Sequence, residues 1–279
     1  MYNDSFRMRY GAAPIAIYAT NDCLPTKAHI HNEIELLYIV NGSSKIKISD
    51  MCYDANAGDL FVVNPMEVHA ITPEASPEYC HQCICFDCSM IVDRQLSAAL
   101  QDGSKSIYHV FRAQEDATAA LVALFQQLFL TVEQNSPALL FETSATISRF
   151  FAELTCRQLI CTNLPANKCF TLSRDVSQYL AEHYSENLTS KDISEKLGYT
   201  QSYFCRLFKQ NFGVPFSTYL NMYRILIAKS ELCSSNRSIA DIAAKCGFCD
   251  VAYFTKCFKN CTETTPLKYR KVNTVIKTG

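Results

Sequence analysis

Tryptophan is missing from this 279-residue chain, and glycine and proline are scarce, at 8 and 9 residues. So few chain breakers exclude collagen-like repeats and Gly/Pro-rich disordered sequences. Long apolar runs are lacking too. The longest uncharged stretch, Ala117 to Val132, is interrupted by Thr118, Gln126 and Gln127, whereas a spanning helix needs about 18 or more apolar residues. Met1 to Tyr10 carries Asp4, Arg7 and Arg9 and has no signal-peptide core, so a cytoplasmic chain with no membrane partner is expected. Neither sign of charge dominates, the net charge being -1. What is present is core material: 48% hydrophobic residues, with 17 Phe and 15 Tyr. At roughly 100–200 residues per domain, the length suggests two domains.

The near-neutral total conceals an asymmetry. From Met1 to Leu172 there are 11 Lys and Arg against 18 Asp and Glu, and from Ser173 onward 15 against 9. A basic third joined to an acidic remainder is the pattern of a nucleic-acid module carried by another kind of domain. The 15 cysteines, without a signal peptide, read as reduced thiols. Cys80, Cys83, Cys85 and Cys88 lie too close together on one strand-like run for a zinc site built from two pairs. Alternation puts Cys83 and Cys85 on one face and Cys80 and Cys88 on the other, so buried thiols acting as small hydrophobes are expected.

The first stretch reads as strands, with Ile34 to Val40 apolar, a hairpin turn expected at Asn41-Gly42, Lys45 to Ser49 alternating, and Leu60 to Val63 stopping at Asn64-Pro65. Such spacing suggests an antiparallel sandwich or barrel. Beyond Asp93 helical periodicity takes over, with long helices predicted over Glu115 to Glu133 and Ala138 to Cys161. Leu121, Leu124, Phe125, Leu128 and Phe129 form a stripe that suits either cover for the strands or dimerisation. Thr162 to Lys168 reads as the start of a linker.

From Ser173 the chain repeats itself. Tyr203-Phe204-Cys205-Arg206-Leu207-Phe208-Lys209 recurs as Tyr253-Phe254-Thr255-Lys256-Cys257-Phe258-Lys259, so one supersecondary unit occurs twice. In each copy a short helix starts at a hydroxyl with an acid three residues on, Thr189 with Asp192 and Ser238 with Asp241, a variant capping box. It ends at Gly198 or Gly247, and a second helix follows: the helix-turn-helix pattern. At about 100° per residue, Phe204, Leu207 and Phe208 face inward while Gln201, Ser202, Cys205, Arg206 and Lys209 form a separate, mostly polar face. The second copy places Phe254, Cys257 and Phe258 inward, with Val251, Ala252, Thr255, Lys256 and Lys259 outward. Arg pairs with guanine and Gln with adenine in the major groove, while Lys209 and Lys259 suit phosphates.

Ile239-Ala240-Asp241-Ile242-Ala243, Gly247-Phe248, Tyr253-Phe254, Phe258-Lys259, Thr265-Pro266 and Tyr269-Arg270 resemble the second half of the AraC/XylS-type DNA-binding domain. Leu197-Gly198, Arg206 to Lys209, Gly213, Tyr219-Leu220, Arg224 and Ala228 resemble its first half. The resemblance implies that Phe216 to Ser230 is a long helix holding two recognition helices in successive major grooves. It also implies that Gln201, Ser202, Cys205 and Arg206, then Val251, Ala252, Thr255 and Lys256, face the bases. Val251 and Ala252 can touch only thymine methyls, so the first motif is expected to carry more of the sequence specificity. Glu263 departs from the pattern at the position matching Gly213, and the end of its helix is expected to fray or close differently.

His29-x-His31-x3-Glu35-x6-Gly42 has the spacing of the first cupin motif, and Pro65-x3-His69 after Gly58-Asp59 resembles the second, with Met66-Glu67-Val68 in place of its internal glycine. His29, His31, Glu35 and His69 are read as effector contacts, with a metal site and plain structural histidines as the alternatives. The expected architecture is α+β: a cupin-like β-barrel with trailing helices over 1–161, a linker over 162–172 and an all-α tandem helix-turn-helix domain over 173–279. The resemblance implies a non-enzymatic regulator without a cofactor, binding double-stranded DNA and a small-molecule effector such as a sugar, working as a homodimer and engaging RNA polymerase. A metal-dependent cupin enzyme with an accessory DNA-binding domain is the rival.

Overall fold

The structure, a computed structural model, describes residues 17–22, 26–72, 75–134, 137–162 and 168–275. The N-terminal residues 1–16, and 163–167 of the expected linker, lie outside the described residues.

The N-terminal half is built on two antiparallel sheets. One has five strands in the order β1 (Ile17–Asp22), β7 (Cys80–Phe86), β2 (Ile34–Asn41), β5 (Leu60–Val63) and β9 (Val110–Phe111). The other has three, β4 (Met51–Asn56), β3 (Ser43–Ile48) and β6 (His69–Ile71). The expected barrel is thus a pair of open, facing sheets. Successive side chains of a strand point to opposite faces, and β2 is buried on both. Leu37 and Ile39 meet Ile46, Ile48 and Ile71 of the second sheet, whereas Ile34 and Leu36 pack outward under two helices. The hairpin expected at Asn41-Gly42 does not form, because β2 and β3 belong to different sheets. Gly42, at φ 71°, is instead the corner between them, and a Cβ there would run into Ser76 and the Tyr79 backbone.

Helix α1 (Arg94–Gln101), capped by Asp93, and the pair β8 (Lys105–Ile107) and β10 (Ile160–Thr162) were not expected. Helices α2 (Asp116–Gln134) and α3 (Leu139–Cys156) cover the outer face of the large sheet, with Leu121, Leu124, Phe125, Leu128 and Phe129 all buried in that core. The stripe therefore serves as cover. Helix α3 ends at Cys156, short of the expected Cys161, because Gln158 turns left-handed at φ 57° and the chain then pairs with β8.

The C-terminal half is helical: α4 (Lys168–His183), α5 (Ser190–Lys196), α6 (Gln201–Phe212), α7 (Phe216–Ser234), α8 (Ile239–Lys245), α9 (Val251–Thr262) and α10 (Pro266–Val275). Thr189 and Asp192 make the full reciprocal capping box, and Ser238 caps α8 by accepting from the Asp241 amide. Such caps contribute about 1 kcal/mol each. Glu263 adopts φ 59°, closing α9 as Gly213 closes α6 at φ 72°. The expected fraying is therefore absent: the Glu263 amide donates to the Lys259 carbonyl at 2.8 Å. Among the described residues no helix is long and apolar enough to cross a membrane.

Candidate effector site and nucleic-acid interface

Four sequence-predicted residues from separate segments meet at one end of the sandwich. Glu35 sits on β2, paired across the sheet with Val63 and Cys85, on the same inward face as Leu37. His29 and His31 precede β2, and His69 opens β6. His29 and His69 exchange both backbone hydrogen bonds at 3.1 Å, which brings their ring centroids to 4.1 Å. The His31 and His69 rings lie 4.7 Å apart. His31 Nε2 is 2.8 Å and His69 Nε2 3.2 Å from the same oxygen, Glu35 Oε2. His31, Glu35 and His69 are buried, at 4%, 7% and 5% exposure, so water does not separate them.

Burial by itself would raise the Glu35 carboxyl, but the facing His69 and His31 rings hold it well below the usual carboxylate range. Burial and the two neighbouring rings push His29 well down. For His69 burial works downward, yet Glu35 outweighs it and the imidazole is raised.

Several residues that sequence reasoning missed support this cluster. The Cys85 thiol donates to Glu35 Oε2 at 3.5 Å, from the inward face of the sheet that it shares with Cys83. The Glu67 carboxylate accepts from His109 Nε2 at 3.0 Å and from the Asn64 amide at 2.9 Å, which fixes the loop bearing His69. Cys88, on the opposite face of the sheet, packs in the helix-covered core, and burial pushes its thiol up to about 12. It stays protonated and behaves as a small hydrophobe.

The residues between these ligands face elsewhere. Ile30, flanked by His29 and His31, and Val68, next to His69, are buried in one apolar core with Leu172 of α4, Phe204 and Phe208 of α6, and Phe216 and Tyr219 of α7. The Tyr219 hydroxyl donates to the Met66 carbonyl at 3.2 Å. No sequence period signals this docking, since a lone Ile between two His carries no pattern of its own. His29 also borders a small groove whose other wall is formed by Met222, Ile225, Leu226 and Lys229 of α7, with Cys261 and Thr262 of α9.

On the far side of α6, Gln201, Ser202, Cys205, Arg206 and Lys209 are all exposed, while Phe204 and Phe208 are fully buried. On α9, Val251, Ala252, Lys256 and Lys259 are exposed, and Thr255 is half-buried with its hydroxyl donating back to Val251. The long spacer α7 carries Arg224, which is buried and donates to the carbonyls of Tyr184 and Glu186 at 2.8 and 2.7 Å. Its guanidinium lies over the Phe248 ring, so one side chain ties the turn after α4, α7 and the second motif together.

Residues 14–151 match the family described as AraC-like ligand binding domain, and residues 193–272 match a helix-turn-helix domain family. The chain belongs to the AraC-type regulators. It is 25% identical over 246 residues to an HTH-type transcriptional regulator of Staphylococcus aureus (strain COL), covering 86% of this chain and 31% of that protein. It is 40% identical over 98 residues to the HTH-type transcriptional regulator YisR of Bacillus subtilis (strain 168), 35% of this chain and 34% of that one. The chain thus spans about a third of the length of these curated relatives. Crystalline ToxT from Vibrio cholerae O395, bound to (E)-4-(8-methylnaphthalen-1-yl)but-3-enoic acid, shares the fold at a TM-score of 0.55, with 15% identity, 93% of this chain and 99% of that chain covered.

Proposed function

We propose that this protein is a non-enzymatic transcriptional regulator whose hold on DNA is set by a small ligand taken up at His29, His31, Glu35 and His69. One observation carries the reading: Ile30 and Val68, the neighbours of three cluster residues, are buried among the aromatic residues behind the recognition helix α6. A ligand that draws the cluster together or forces it apart moves these two side chains, and close-packed cores respond to such shifts by repacking. The two-site coupling that defines allostery then has a physical carrier. A sugar, the effector class that the family resemblance suggests, would need the sandwich interior to open, since Leu37, Ile39, Phe61 and Val63 fill it at 0–3% exposure. The packing favours a smaller ligand at the cluster.

On this reading α6 and α9 enter successive major grooves of double-stranded DNA. Gln201, Ser202, Cys205 and Arg206 read bases, and Val251, Ala252, Thr255 and Lys256 make the second, weaker reading. Lys209 and Lys259 hold phosphates. The protein works in the cytoplasm, where such DNA lies, and contacts RNA polymerase when bound. Exposed Leu130, Leu140 and Phe141 on α2 and α3 form the homodimer face. The test is selection of duplexes from a random pool by the purified protein. One enriched element with two contact regions about one helical turn apart is the expected result. Retention that depends on salt but not on sequence would overturn the reading.

A further inference from the structure

The three imidazoles of the cluster are prepared in the same way. His29 Nδ1 donates to the Lys27 carbonyl at 2.8 Å, His31 Nδ1 to the Glu33 carbonyl at 3.0 Å, and His69 Nδ1 to the Glu67 carbonyl at 2.9 Å. A carbonyl only accepts, so each Nδ1 carries a proton, and Nε2 is the atom that each ring can offer as a ligand. Ligand atoms of all three rings and of Glu35 lie within 4.8 Å of one another. Three imidazole nitrogens and one carboxylate therefore face each other at one place in the protein. A proton on His31 Nε2 serves one contact with Glu35, but His69 Nε2 has no hydrogen bond of good geometry despite its 3.2 Å approach to Glu35. Such an unsatisfied buried polar atom costs about 1–3 kcal/mol.

A single divalent ion satisfies all four. Imidazole nitrogen and carboxylate oxygen bind zinc at about 2.0–2.2 Å, which spaces tetrahedral ligand atoms about 3.3 Å apart, close to the 2.8 and 3.2 Å that separate His31 and His69 from Glu35. An Nδ1 anchored on a carbonyl is the outer-layer support that ligating histidines use, and all three have it. Imidazole-rich sets suit first-row transition ions over magnesium or calcium. With four protein ligands and three of them buried, the site is closed in the manner of structural rather than catalytic centres.

We infer that His29, His31, Glu35 and His69 bind one divalent first-row transition ion, whose occupancy reaches the first helix-turn-helix through Ile30 and Val68. This replaces the expectation of a metal-free effector pocket, and it rests on the regulatory reading above by naming the ligand class. With the ion in place, His29 and His69 are clamped and Ile30 and Val68 stay seated among Phe204, Phe208 and Tyr219. Without it the four groups lose their common partner, the segments bearing His29, His31 and His69 loosen, and the aromatic core behind α6 loses Ile30 and Val68.

The test uses the full chain stripped of metal, with Zn²⁺ and Co²⁺ as probes. One ion per chain is expected by titration calorimetry and elemental analysis. The Co²⁺ complex should show ligand-field bands without a thiolate charge-transfer band. H29A, at the groove edge and safest for folding, and E35Q should each weaken binding by more than the ~10–100-fold that loss of an outer-layer partner causes. C83S/C85S should keep the ion. Zn²⁺ should slow amide exchange along α6 and at Phe216 to Met222 in the wild type. I30A should bind the ion equally well but lose that slowing. Absence of a stoichiometric ion, full binding by H29A and E35Q, or a thiolate band would overturn the site. A bound ion that leaves exchange in α6 unchanged would overturn the transmission. Failure of the regulatory reading is distinct, since it shows as loss of sequence-selective DNA binding whatever the metal content.

Discussion

The two helix-turn-helix motifs share a plan and differ in what stands behind them. In the first, the apolar face of α6 closes a core that takes in Ile30 and Val68 from the sensor. In the second, α9 closes a core that, among the described residues, runs from Ile225 to Tyr269. The outward faces differ as well, Gln201, Ser202 and Arg206 against Val251, Ala252 and Lys256. On the proposed reading this unequal docking separates two tasks: the motif held by the sensor carries the base reading, and the other supplies a constant grip.

The largest expected effect tests that division directly. Phe208 is fully buried, stacked on Phe212 at 4.1 Å and edge-on to Phe216, and Phe258 is its fully buried counterpart in the second core. Truncating either to Ala should cost about 3–5 kcal/mol. Phe208→Ala should also raise amide exchange in the His29–His31 segment, because that segment shares its core, whereas Phe258→Ala should leave the segment unchanged. Equal loosening by both would mean that the sensor grips the DNA-binding domain as one block.

Next in size is the base-reading contrast. Arg206 is exposed on α6, its guanidinium 5.5 Å above the Tyr203 ring. Arg206→Ala should weaken binding to the selected duplex by about 1–3 kcal/mol and relax preference at one base pair. Lys209→Ala should weaken specific and random DNA alike and lower the salt slope by about one. Gel-shift titrations at several salt concentrations measure both. A base-specific loss at Lys209, or none at Arg206, would reverse the roles.

How much of this was legible beforehand follows from the range of the interactions involved. Caps and helical faces are local, so Thr189 with Asp192 and the inward Phe204 and Phe208 could be read from spacing alone. The cupin spacing likewise gathered His29, His31, Glu35 and His69 correctly. The orientation of their rings was not legible, because it depends on backbone carbonyls of Lys27, Glu33 and Glu67 that any residue would supply. Gly42 was read as a hairpin because its neighbours suit one, yet pairing with β4 and β6 carries the next strand into the other sheet. The three-residue strands β8 and β10 are too short to show a period. Docking of Ile30 and Val68 joins segments more than a hundred residues apart, and nothing in either segment encodes the other.

The smallest expected effect bears on how free the second motif is. Glu263 holds a left-handed conformation, φ 59°, that costs a non-glycine residue about 1–2 kcal/mol. Its carboxylate meets Lys27 of the sensor at 3.3 Å, but these side chains are 42% and 68% exposed, and pairs so wet contribute about 0–1 kcal/mol. Glu263→Gly removes the strain and the pair together, and gives the unfolded chain back about 0.4–1 kcal/mol of freedom. Strain relief is the largest of the three contributions, so the variant should be slightly more stable, by up to about 1 kcal/mol in denaturant unfolding, with unchanged DNA affinity. Gly213→Ala, which adds strain to the matching cap and presses a Cβ against the Ser49 carbonyl, should do the reverse. If Glu263→Gly instead destabilises the protein and loosens the sensor, the Lys27 pair is a tether. The second motif would then answer to the sensor as the first does.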